Sequence, residues 1–414
     1  MSYKFHRQVS AWRQARAGGP VSGQGLPVIV LVPSDPLLFN ASTGDMAMIS
    51  AVMHFCRETW PDARFVVLTA GDVADEQVRQ AGAVPCRVLD GSLSFAETMT
   101  RIVSHEPTHC VTIGADVLDG SYDPVFSALL LMITDMLARR GVKCVVTGFS
   151  VSASPYPGLG TVFNETCQDI VFNLRDPVSF KRFGRLSRAR CELVADVAFL
   201  LKPQMDSVLV RGVGDWVDVQ RAKGRRIVGV NVHPLVLELV DRHEIDKVVR
   251  NLAALLIELV EEASLSLMLV EHDFRGTSAD AHCLGPLYDL LEPRVGEFVF
   301  LSKDRLDAKE IKAAVSKFDG VISGRMHLMI ASLGGGVPVF GIEYKEKMVG
   351  LLNHVGLSAE SLTTAREIIS DPVAVRQKLS VFLADLDATR AAVVAKGPAL
   401  KAMSSLNFAG LTNG

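Results

Sequence analysis

The chain has 414 residues, 49% apolar and 21% charged, with a formal net charge of −3. That length favours two domains of ordinary size, and the composition fills a core and excludes wholesale disorder. The near-balanced charge gives no reason to expect nucleic acid as a partner, and seven cysteines with no C-x-x-C pair argue against a disulfide framework or a zinc site.

Residues 1–25 are polar and end Gly-rich, which predicts a flexible N-terminal arm. No apolar run follows Met1 to Arg7, so no signal peptide is expected. Val28 to Val32 is a continuous apolar run of the kind buried in a parallel sheet. A helix is predicted over 45–57, a strand over 65–68, a helix over 74–80 and a strand over 84–88. A helix over 95–103 precedes a strand over 110–113, and a helix over 125–139 precedes a strand over 143–147. This alternation is the signature of βαβ units. The apolar stretch from Val125 to Leu137 is interrupted by Asp135 and is too short to span a bilayer, so a cytoplasmic enzyme is the default.

Residues 202–225 show no clear period and end in the basic turn Lys223-Gly224-Arg225-Arg226. They mark the expected domain boundary. The rhythm then resumes: strands over 226–232, 265–270, 297–301, 320–323 and 337–342, with helices over 244–261, 281–291, 308–317 and 326–333. A late helix starts at Pro372, and residues 404–414 are expected to fray. The fold class is α/β, with two Rossmann-like domains whose parallel sheets face a cleft. The arm occupies 1–25, the N-terminal domain 26–202 and the C-terminal domain 203–371. A C-terminal helix and tail fill 372–414.

The chemistry concentrates where Val321-Ile322-Ser323 gives way to Gly324-Arg325-Met326-His327. Ligands of open parallel sheets sit outside strand carboxyl ends, and a helix start adds N–H donors. Arg325 is suited to fork onto a carboxylate or phosphate, and His327 moves protons near neutral pH. The bland alternative is a structural ion pair for Arg325 and a satisfied polar role for His327. Lys345 or Lys347, beyond the next strand, and His272 in Glu271-His272-Asp273 are candidate phosphate contacts. Each reads equally well as a solvated residue. In the first half, Asn40 to Asp45 lies between a strand and a helix, where Gly44 permits a tight turn and Asp45 reads as a hydroxyl ligand or an N-cap. Asp116 and Ser150, at two further strand ends, are candidates for hydroxyl recognition. No G-x-G-x-x-G follows the first strand, no Walker A, H-E-x-x-H or G-x-S-x-G motif occurs, and nothing demands a metal.

At these residues the chain resembles the polysaccharide pyruvyl transferases. Gly44-Asp45 resembles that family's early N-x-G-D element, although three residues separate Asn40 from Gly44. Arg175-Asp176-Pro177-Val178-Ser179 resembles its R-D-x-x-S block. Asp196-Val197-Ala198-Phe199-Leu200 resembles D-P-A-F-L, with Val197 in the Pro position. Ile322-Ser323-Gly324-Arg325-Met326-His327 resembles I-S-x-R-L-H. Gly336-Val337-Pro338 resembles G-V-P, and Tyr344 to Lys347 resembles Y-D-x-K with Lys345 in place of Asp.

The resemblance implies a fold similar to the glycosyltransferase-B architecture. It implies phosphoenolpyruvate as co-substrate, no other cofactor, and sugar hydroxyls of a polysaccharide or its lipid-linked precursor as acceptor, joined as a pyruvate ketal. Arg325 and His327 would be catalytic and, with Lys347 and His272, would bind the donor. Gly44, Asp45, Asp116 and Ser150 would serve the acceptor. A lipid-linked acceptor would bring the enzyme to the inner membrane face. Two alternatives share the fold: a glycosyltransferase using a nucleotide sugar, and a non-catalytic glycan-binding relative.

Overall fold

The computed structural model describes residues 2–16, 19, 21, 25–39, 42–239, 244–344 and 347–412. The chain divides into two compact units. The first comprises Met1–Asn40, Met48–Val197 and Lys401–Gly414, and the second Ala41–Ala47 and Ala198–Leu400.

The first unit holds a seven-stranded sheet built from β1 (Val28–Val32), β2 (Arg64–Thr69), β3 (Val84–Arg87), β4 (His109–Thr112), β5 (Lys143–Phe149), β6 (Val171–Leu174) and β7 (Cys191–Leu193). Its order is β3-β2-β1-β4-β5-β6-β7, and every pairing is parallel. The central strands are largely apolar because helices cover both faces of such a sheet. β1, for instance, is buried at all of its residues.

The second unit repeats the plan with β8 (Arg226–Asn231), β9 (Leu265–Leu269), β10 (Val299–Leu301), β11 (Gly320–Ser323), β12 (Val339–Glu343) and β13 (Leu362–Thr364). The order is β10-β9-β8-β11-β12-β13, again all parallel. In each sheet the winding reverses beside the first strand, between β1 and β4 and between β8 and β11. Ligands of doubly wound sheets bind outside the carboxyl ends at such a switch point.

Three expectations change. The predicted loose arm contains the helix Ser2–Ala15. Phe5, Val9 and Trp12 recur at helical spacing and are buried, and the Trp12 indole N–H donates to Asp135 at 2.9 Å. Asp135, which interrupts the apolar run of the helix Pro124–Ala138, is thus the polar anchor for that packing. Gly18 and Pro20, part of the sequence that suggested the arm, lie outside the described residues. The predicted boundary at 202–225 contains the helix Val208–Ala222, which buries Val210, Val213, Gly214 and Val217. Gly212 and Gly214 weaken its local signal.

The tail expected to fray is packed into the first unit, with Ser404, Asn407, Phe408 and Leu411 buried. Asn407 accepts from the Gly148 N–H at 2.7 Å and donates to the carbonyls of Ala195 and Ser404. Phe408 stacks on Phe55 with centroids 3.8 Å apart. Asn407→Ala is expected to lower the unit's stability by about 1–3 kcal/mol, the cost of stranding a buried N–H. A urea midpoint unchanged from wild type would contradict this. Among the described residues no helix is long and apolar enough to cross a membrane.

Candidate active site

The second unit gathers its titratable side chains at the switch point beyond β8 and β11. β11 ends at Ser323, whose hydroxyl accepts from the Arg325 N–H and donates to the Arg325 carbonyl, both at 3.0 Å. That closes a tight turn before the helix Met326–Gly334. Gly324 is required in it, because an added Cβ would stand 2.8 Å from both His233 and Val236. His233 is fully buried and hydrogen-bonds the Gly324 carbonyl through Nε2 at 2.8 Å. Burial and the Arg325 charge beside it push its pKa well below the usual histidine value, outweighing the bond to the Gly324 carbonyl, which favours the charged form, so it is neutral.

Arg325 is only 8% exposed. Its Nε and Nη2 donate to Asp280 Oδ1 at 3.0 and 2.7 Å, and Nη2 also donates to the Ser278 carbonyl. Nη1 lies 3.2 Å from Asp273 Oδ2. The expected fork onto a donor anion is therefore corrected: the guanidinium is spent on two buried carboxylates of its own chain. Asp280 in turn accepts from Asn231 at 2.7 Å and from the His272 and Asp273 N–H groups at 2.8 and 3.2 Å. Burial raises the Asp280 carboxyl, while Arg325 and these donors pull it back down. Asp273 and Asp280, both missed in the sequence, anchor the whole cluster.

His272 is also corrected. It is buried, and burial plus the neighbouring His327 and Arg325 hold its pKa well below the usual value. A neutral, enclosed imidazole is no anchor for a phosphate at pH 7. Its carbonyl instead receives the Thr43 N–H at 3.1 Å and the Thr43 hydroxyl, and Ser42 bridges to Asp273.

Those contacts bring the start of the helix Thr43–Thr59 to His327. A Cβ on Gly44 would stand 2.6 Å from His327 Nδ1 and 3.3 Å from its Cβ. Asp45 Oδ2 lies 3.8 Å from Arg275 Nη1, and Arg275 also pairs with Asp273 at 2.7 Å. Gly44 and Asp45, expected as acceptor ligands, thus belong to the unit that carries His327. Gly44 makes room for the imidazole. Asn40 lies outside the described residues. His327 itself is half-buried in the first turn of its helix.

Lys347 opens the helix Lys347–Val355 and lies with its Nζ 5.6 Å from the Tyr344 ring centroid; the same ring meets His233 edge-on at 5.2 Å. Burial pulls the Lys347 pKa down to about 8. Glu343 occupies the anion position at that helix start, accepting from the N–H groups of Tyr344, Lys347, Met348 and Val349 at 2.9–3.2 Å. Lys345 lies outside the described residues.

In the first unit, Ser150 is corrected as a free hydroxyl ligand. It is buried and accepts from Arg175 Nε at 2.8 Å. Arg175 also pairs with Asp196 at 2.9 Å, and Asp176 caps the next helix through Ser179 at 2.7 Å. The R-D-x-x-S block and the following Asp196 thus form one enclosed network at the ends of β5 and β6. Asp116, beyond β4, is half-buried and accepts from the Tyr122 hydroxyl at 3.0 Å.

Two doubly wound parallel sheets, with charged side chains at a switch point, define an α/β protein of the glycosyltransferase-B fold class. Similar solved structures include a glycosyltransferase from Rickettsia africae (TM-score 0.57, 10% identity, covering 94% of this chain and 100% of that one). Others are a UDP-GlcNAc 2-epimerase from Neisseria meningitidis (0.56, 9%, 93% and 99%) and one from Methanocaldococcus jannaschii (0.55, 8%, 86% and 92%). No curated protein matches the sequence. The family model for polysaccharide pyruvyl transferase matches residues 43–346, and the chain belongs to that family.

Proposed function

We propose that this transferase moves the pyruvyl group of phosphoenolpyruvate onto two hydroxyls of one sugar, forming a ketal and releasing phosphate. The observation that carries the reading is His327, presented in the first turn of a helix at the switch point of the second sheet, within a segment that resembles the family's I-S-x-R-L-H signature with Met326 in the Leu position. No resident metal or further cofactor is part of the proposal.

In this scheme His327 donates a proton to the methylene carbon of the enol ester. One sugar oxygen bonds to the adjacent carbon, and its proton passes to solvent. The second sugar oxygen closes the ring as the carbon–oxygen bond to phosphate breaks, and phosphate leaves with that electron pair and a proton. Lys347, charged below about pH 8, meets the departing phosphate. Arg325 acts as a positioning residue: its pairs with Asp273 and Asp280 fix the turn that aims His327. Asp116 is the proposed sugar contact in the first unit.

The test is phosphate release from phosphoenolpyruvate across a panel of lipid-linked and nucleotide-linked sugars, with mass analysis of the product. Consumption of a nucleotide sugar with phosphoenolpyruvate untouched would overturn the reading. His327→Ala is expected to lower turnover about 10²- to 10⁴-fold, the usual worth of a positioned general acid, with an unchanged circular dichroism spectrum. Near-normal turnover removes His327 from the mechanism.

The Lys347 pKa, lowered from its ordinary value to about 8, gives a second outcome. The cation is present below about pH 8 and is lost above it. KM for phosphoenolpyruvate should therefore rise roughly tenfold per pH unit above that point. Lys347→Met should show a raised KM at every pH and no such rise. A flat profile in the wild-type enzyme would exclude Lys347 from donor binding.

A further inference from the structure

The first unit has a cavity of about 790 Å³ at the end of its sheet away from the Ser150–Arg175 network. Its lining comes from the chain just before β6 and just before β7, and includes Asn164, Cys167, Gln168, Arg188 and Arg190. We propose that this cavity is a binding site for a phosphate-bearing anion, separate from the chemistry of the second unit.

Charge is the first ground. Lys181 to Arg190 reads Lys-Arg-Phe-Gly-Arg-Leu-Ser-Arg-Ala-Arg, with five cations and no acid, in a chain whose net charge is −3. Arg182 turns inward to the Val151 carbonyl. Arg188 and Arg190 are exposed, and among the described residues no carboxylate pairs with either. Three acids lie nearby. Glu165 is neutralised by Arg13 and Arg16, and Asp169 accepts from the Cys167 thiol at 3.5 Å. Glu192, on β7, is exposed.

Geometry is the second. Arg188 and Arg190 are one residue apart, on either side of a bend at Ala189, and both line the cavity. Two guanidinium forks lining one cavity suit the oxygens of one phosphate ester or of a diphosphate. The amide oxygen of Asn164 is used by the Ser187 hydroxyl at 2.9 Å and the Arg188 N–H at 2.7 Å, so that side chain contributes its NH2 as donor. The two guanidinium groups of the lining favour an anion over a neutral sugar. The phosphate belongs either to a soluble ester or to an anionic lipid headgroup at a membrane surface.

Titrating the full-length protein with sodium pyrophosphate, followed by calorimetry, tests the soluble source. Vesicles with and without phosphatidylglycerol, followed by co-sedimentation, test the lipid source. Arg188→Ala/Arg190→Ala should weaken binding of at least one probe by tenfold or more, since each charge-assisted contact is worth roughly a factor of ten. Arg188→Gln/Arg190→Gln should do the same with the side-chain bulk kept. His327→Ala should leave that binding intact, which separates this site from the reaction. Pyrophosphate alone discriminating wild type from variant identifies a soluble ligand, and vesicles alone identify a headgroup. Equal binding by wild type and both double variants, or none of either probe by wild type, overturns the proposal.

Discussion

Gly44→Ala should leave the protein folded but no more stable than wild type, and cut turnover about a hundredfold. Alanine is the better helix former by up to about 1 kcal/mol, and Gly44 lies in the first turn of the helix Thr43–Thr59. The added methyl, however, would stand 2.6 Å from His327 Nδ1 and 2.9 Å from its Cγ. Real Cβ atoms do not approach that closely, so the ring must swing. The contact reaches back to the His327 Cβ, so a flip of the ring alone does not relieve it. A misplacement of about 1 Å in a catalytic group costs on the order of 10²-fold. Melting temperature and phosphate release measured together separate this from simple damage to the fold. Wild-type turnover in Gly44→Ala would mean that the imidazole position is not critical.

The largest stability effect is expected at Asp280. Asp280→Ala removes the acceptor for Arg325, Asn231 and two backbone N–H groups at once. It leaves Arg325 buried with Asp273 as its remaining carboxylate. Breaking a buried pair from one side costs about 3–5 kcal/mol, because the other charge stays desolvated. Urea unfolding followed by near-ultraviolet circular dichroism should show the second unit melting at clearly lower denaturant. Activity should be lost with it. A double replacement, Asp280→Leu with Arg325→Met, should recover only part of the stability, because Asn231 and two backbone N–H groups stay without their acceptor, and none of the activity. An Asp280→Ala midpoint equal to wild type would show that Arg325 is not held as described.

The strand-to-helix alternation was legible because each element carries its own period, and the Ser323 to His327 turn was legible because its parts are contiguous. The helix Phe95–Val103 has the predicted limits, fixed by the capping box of Ser94 and Glu97. What sequence could not supply was pairing between distant segments. Arg325 looks the same whether it faces a ligand or Asp280, 45 residues earlier. Ser150 looks the same whether it is free or held by Arg175, 25 residues later. Two signals were present and outweighed. Phe5, Val9 and Trp12 have helical spacing, but the Gly-rich stretch after them carries the opposite, loop-like signal. The C-terminal segment is rich in small and polar residues, yet Asn407 uses its amide to fasten it.

The division of the chain has a consequence for biogenesis. The first unit needs Lys401–Gly414 as well as residues near the beginning, whereas the second is encoded almost wholly by the uninterrupted run Ala198–Leu400. On a translating ribosome the segments that emerge earliest must therefore wait for the last ones before their own sheet is clasped. Completion then runs opposite to the usual N-terminal-first order of multidomain proteins.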